Sequence, residues 1–117
     1  MKAIKYLRAS ACFLLCLFVL CDFAGAGEYQ ISQPQRDYIN TLQRDGLLRM
    51  EWEYHKAYIS SPLWEMIDAQ VKEALAFCLA VRCSEMATQT KGTWVHIYDM
   101  QSGKKIAKWN SWGFEAY

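Results

Sequence analysis

Residues 61–83, SPLWEMIDAQVKEALAFCLAVRC, read as one helix of about 20 residues, and what that helix must bury decides the fold. Ser61 followed by Pro62 is a helix start: a hydroxyl to accept an orphan N–H, then a residue whose fixed φ suits the first turn. Glu65 and Asp68 stand near the positive end of the helix dipole and Arg82 near the negative end. Trp64, Ile67, Val71, Leu75 and Cys78 recur at intervals of three and four and share a face. Glu65, Asp68 and Lys72 line the other side, with Asp68 and Lys72 an i, i+4 pair of the favourable orientation. That polar side ends at Glu73. Residues 74–81, ALAFCLAV, are apolar all round, so the second half of the helix needs cover on two sides, from a sheet and from another element.

The length allows one domain, and the first 26 residues read as a leader. Lys2, Lys5 and Arg8 precede an apolar run over residues 9–21, and Ala24-Gly25-Ala26 supplies the small residues of a cleavage site. The run is shorter than the roughly 20 residues a membrane span requires. The expectation is an exported protein, periplasmic or extracellular, whose mature part is residues 27–117 and has no stable membrane span. A lipid anchor on Cys21 is the alternative, weakened by Leu20 where a small residue is wanted. The leader takes three of the 13 Lys and Arg and one of the 12 Asp and Glu, leaving a mature net charge of −1. No strong field draws such a chain to nucleic acid or to acidic lipid.

Cys12, Cys16 and Cys21 leave with the leader, so Cys78 and Cys83 remain. Two cysteines in an exported chain suggest a disulfide. In an unbroken helix, residues five apart lie about 8.6 Å from each other, beyond the roughly 7 Å a bridge tolerates. A bridge therefore requires the helix to end near Val81; the alternative is a buried thiol at Cys78 with Cys83 unbridged. A C-x4-C spacing does not match a redox pair.

Before the central helix, Ser32 and Gln35 form a capping-box pattern with Pro34 in the first turn, and Asp45-Gly46 stops a short helix bearing Tyr38, Ile39 and Leu42. Residues 48–55 alternate: Leu48, Met50, Trp52 and Tyr54 one way, Arg49, Glu51, Glu53 and His55 the other. The alternation slips at Lys56, after which Ala57 and Ile59 take the apolar parity, which suggests one strand with a bulge near His55 and Lys56. Residues 84–92 read as a loop, 93–100 as a strand, 101–104 as a turn with Gly103 at positive φ, and 105–112 as a strand. The aromatic tail, residues 113–117, is expected to pack. The resulting expectation is a small two-layer α+β domain: a three-stranded sheet, order α-β-α-β-β, with two helices on one face. The turn with Asp99, Ser102, Gly103, Lys104 and Trp109 is similar to hairpins of β-propeller blades, but one hairpin without a repeat cannot make a propeller.

Alternation also assigns the sheet faces. Val95, Ile97, Ala107 and Trp109 join Met50, Trp52 and Tyr54 beneath the helices, which sends Trp94, His96, Tyr98 and Met100, with Ile106, Lys108 and Trp112, to the other side. With one helical layer available, that side is open unless Phe114 and Tyr117 fold over it. Exposed rings there mark a binding surface centred on Trp94, His96, Tyr98, Lys108 and Trp112. The reading that follows is a non-enzymatic module acting by protein–protein contact, with a protein partner or as a homodimer. A carbohydrate or cell-wall binder using Trp94, Tyr98 and Trp112 is the alternative, and a hydrolase comes third. No cofactor or metal is called for: His55 and His96 lie on separate strands without HxxxH or CxxC, and read as exposed strand histidines. Ser111 and Cys83 are the nearest nucleophile candidates and lack a nucleophile-elbow context. Lys104, Lys105 and Lys108 beside Trp109 and Trp112 could suit nucleic acid, but near-neutral charge argues against it, and lysines guard a sheet edge.

Overall fold

The computed structural model describes residues 29–117, so the leader and the Cys21 anchor lie outside the described residues. Helix α1, Gln33–Arg44, begins at Ser32 with the reciprocal capping box: the Ser32 hydroxyl accepts from Gln35 N (3.3 Å) and Gln35 Oε1 accepts from Ser32 N (2.7 Å). Asp45 caps its end, and Gly46, at φ +75, turns the chain into β1, Leu48–Glu51.

Here the expected single strand, bulged near His55 and Lys56 and carrying Ala57 and Ile59 on its apolar side, gives way to a hairpin. After β1 a short 3-10 turn, Trp52–Tyr54, and His55 at φ 52 reverse the chain into β2, Lys56–Ile59. The two strands pair antiparallel, Leu48 opposite Ile59 and Glu51 opposite Lys56. The slip in alternation at Lys56 is thus the end of a turn rather than a bulge. Met50 and Trp52 still pack against the core, but Tyr54 points to solvent at 67% exposure.

The long helix also divides. Helix α2, Ser61–Met66, is followed by Ile67 in extended conformation and then by α3, Ala69–Met86. Asp68 is the N-cap of α3, its carboxylate accepting from Val71 N at 2.9 Å, instead of the surface partner of Lys72; the Lys72 ammonium lies over the Trp64 ring at 5.2 Å. A cap satisfies an orphan N–H and contributes about 1 kcal/mol, more than an exposed i, i+4 pair. At the other end α3 runs past Cys83, so the condition for a Cys78–Cys83 bridge is not met. Both are buried, unbridged thiols, and burial pushes that of Cys83 up to about 12.

Strand β3, Val95–Asp99, lies parallel to β2, with Ala57 opposite Ile97. The Gly103 turn, φ +74, leads to β4, Lys105–Asn110, antiparallel to β3. A tight turn at Ser111-Trp112 then sends the tail back as β5, Gly113–Ala116, paired with β4. The sheet therefore has five strands in order β1-β2-β3-β4-β5, not three. Both added strands are short pieces hidden in what reads locally as a single strand or a tail.

The α+β class stands. Leu48, Ala57, Ile59, Val95, Ile97, Ala107 and Trp109 form one face of the sheet and share a core with Ile39 and Leu42 of α1, Leu63 of α2 and Leu75 and Leu79 of α3. The apolar half of α3 is covered by β3 and β4 on one side and by α1 on another. Arg36 of α1 and Arg82 both bond Glu85, tying the two helices at the surface. No helix among the described residues is long and apolar enough to cross a membrane.

Candidate functional site

Among the described residues no helix lies on the second face of the sheet, where register aligns two rows of outward side chains. One row is Arg49, Tyr58, Tyr98 and Lys105; the other is Glu51, Lys56, His96, Lys108 and Glu115. Tyr58 and Tyr98 stack at 5.3 Å, the Arg49 guanidinium sits 4.0 Å above Tyr58, and the Lys56 ammonium 5.5 Å from Tyr98. Lys105 reaches the Tyr117 ring at 5.7 Å, and Lys108 pairs with Glu115 at 3.3 Å. Glu51 accepts from the Tyr58 hydroxyl, which raises the pKa of that phenol. Burial lowers the pKa of the His96 imidazole, and Lys105, Lys108 and Lys56 lower it further.

Of the expected surface residues, His96, Tyr98 and Lys108 stand on this face. Trp94 and Trp112 stand at its end, where they line a groove together with His96. Trp94, just ahead of β3, lies flat on His55, ring centroids 4.0 Å apart and planes within 9°, and meets the edge of His96 at 5.4 Å. Trp112 sits at the tip of the β4–β5 turn with 96% of its surface exposed. Ile106 is drawn to the core side by a register shift opposite Ile97 and Tyr98. Arg49, Lys56 and Tyr58 are additions. Their place opposite β3 follows from the β1–β2 reversal, which a continuous 48–55 strand conceals.

At the end of the sheet where β3 starts and β4 turns, a groove of about 460 Å3 is lined by Trp94, Trp109, Trp112, Tyr29, His96 and Asn110, among others. Trp109 is wedged edge-on between Tyr29 (5.4 Å) and Phe77 (5.3 Å). Trp94 is held from below. His55, expected as an exposed strand histidine, is fully buried; its Nδ1 donates to the Trp94 carbonyl at 2.8 Å, and its Nε2 meets the Thr90 hydroxyl at 3.1 Å. Its neighbours in space come from residues 90 and 94, which no local periodicity can register.

Glu53 completes the clamp. Its carboxylate accepts from Thr88 N (2.7 Å), the Thr88 hydroxyl (2.7 Å) and Gln89 N (3.1 Å), and its carbonyl accepts from the Thr90 hydroxyl (2.9 Å). The Thr88 side-chain bond leads the causes that lower its pKa from 4.5 to about 2. A depressed carboxylate stabilises the fold fully above its unfolded value, and the contribution declines as pH falls and is lost below the folded value. Acidification from about pH 4.5 to about pH 2 is therefore expected to loosen residues 88–90. The Thr88 and Gln89 amide resonances should shift over that window, and Glu53→Gln should flatten the titration; amides that do not move would discount the clamp.

Among the described residues, no three His, Cys, Asp or Glu side chains stand together as a metal cluster. Ser111 lines the groove, whereas Cys83 is buried in α3. No family model, no curated protein and no solved structure matches this chain.

Proposed function

We propose that this chain is an exported, non-enzymatic module that docks a protein partner through the open face of its sheet. The carrying observation is that face itself: two cross-strand rows of rings and charges with no helix of the described residues over them and, from the tail, the Tyr117 ring beside Lys105 at one end. Four bases, Arg49, Lys56, Lys105 and Lys108, stand there against two acids, Glu51 and Glu115, and Lys108 is already paired with Glu115. The excess positive charge, steadied over tyrosine rings, matches a partner surface bearing carboxylates.

The order of charges disfavours a second copy as that partner. From edge to edge one row reads acid, base, imidazole, base, acid, and the other base, tyrosine, tyrosine, base. Laid on itself with each row over its own copy and the strand order reversed, this face sets Glu51 on Glu115 and Lys56 on Lys108. Like charges brought together in this way oppose association.

The test is capture from the exported fraction with the wild-type chain and with Lys56→Glu/Lys105→Glu. A stoichiometric partner that binds the wild type, weakens with salt and loses at least about tenfold in affinity to the double variant supports the docking face. Equal capture by both chains places the contact elsewhere. A partner-free dimer in sedimentation would contradict the charge argument.

A further inference from the structure

We infer that the groove between Trp94 and Trp112, which meets the docking face at His96, is a subsite for an uncharged pyranose ring. A pyranose offers two kinds of surface: flat patches of C–H that lie against aromatic faces, and an edge of hydroxyls that needs amide or hydroxyl partners. The groove supplies both. Trp94, Trp109 and Trp112 supply indoles to its lining, and Thr93, Asn110 and Ser111 are its polar lining residues. Its volume, about 460 Å3, falls in the range of small-ligand sites, roughly 300–1,000 Å3.

Charge narrows the ligand class. Among the described residues no Asp, Glu, Lys or Arg lines the groove, so none of them balances a charged sugar there. His96 does not alter this, because burial and three nearby lysines favour its neutral form.

The Trp94 ring is also held in place before any ligand arrives. Trp94 rests on buried His55, and its Nε1–H donates to the Lys91 carbonyl at 3.3 Å. Gly92 makes room for that ring: a Cβ there would lie 3.2 Å from Trp94 Cδ1, on a backbone at φ +102 that side chains rarely adopt. Trp112 stands on a two-residue turn braced by its own N–H donating to Asn110 Oδ1 at 2.8 Å. Rigid rings lose little entropy when a ligand stacks on them. Trp112 has almost no contact to bury it within the chain, and a sugar face laid on the indole would give it one.

The experiment titrates the purified chain with cellotriose, chitotriose, maltotriose and trigalacturonate, followed by tryptophan emission and by the indole N–H resonances. At least one neutral trisaccharide is expected to bind saturably, in the millimolar range or tighter, and trigalacturonate more weakly. Trp112→Ala removes an exposed side chain, so the fold should persist, and it is expected to weaken binding at least tenfold. Arg49→Glu, on the docking face and away from His96, is expected to leave sugar affinity unchanged even if partner capture fails. Silence from all three neutral sugars, undiminished binding by Trp112→Ala, or preference for trigalacturonate would each overturn the assignment.

Discussion

His55→Ala is expected to lower the unfolding free energy by about 3 kcal/mol, read as a fall in urea midpoint at constant slope. The imidazole is fully buried, bonds the Trp94 carbonyl and the Thr90 hydroxyl, and carries the Trp94 indole on its face. Alanine removes both bonds, leaves a buried carbonyl to find water, and opens a cavity beneath the indole. A second substitution separates side chain from backbone. His55 adopts φ 52, where glycine is at ease and other residues are not. His55→Gly loses the same contacts but is expected to be about 1 kcal/mol less destabilised than His55→Ala. A loss well under 1 kcal/mol in the alanine variant would mean the clamp does not hold the loop. Because Trp94 rests on this ring, both variants are also expected to weaken sugar binding in the groove.

Leu79→Ala is expected to cost about 3–4 kcal/mol. Leu79 is fully buried in the apolar half of α3, among neighbours that belong to the same core. Rigid packing on two sides leaves little room for collapse into the space of a lost isobutyl group, which places the site toward the costly end of such substitutions. Phe77, on the same helix, is only half-buried and makes edge contacts with Tyr29 and Trp109. Phe77→Ala thermal and urea unfolding provide the comparison: a Leu79→Ala effect smaller than that of Phe77→Ala would contradict two-sided cover of α3.

Much of the architecture is readable from residues near one another. The Ser32 and Gln35 cap, the Gly46 stop, the Gly103 turn and the inward set Val95, Ile97, Ala107 and Trp109 all follow from spacing, and all are found. The need of residues 74–81 for cover on two sides is met by the sheet and α1. His96, Tyr98 and Lys108 reach the open face for the same reason: strand side chains alternate. What misleads is a pattern shared by two conformations. Trp52 and Tyr54 keep the parity of a strand while belonging to a turn, which hides β2 and its contribution of Lys56 and Tyr58. Ile67 and Asp68 keep helical spacing while breaking the helix, since neither a glycine nor a second proline announces the break.

By itself the sequence determined the α+β class, the caps and turns, and which side of each strand is apolar, because these depend on residues two to four positions apart. Only the tertiary structure decided that the sheet has five strands, that His55 is buried, and that Trp94 and Trp112 line a groove with His96. Those outcomes rest on bonds between residues 35 and 39 positions apart and on strands that pair only once the core has formed. No local pattern encodes the energy of a contact whose partner is that distant along the chain.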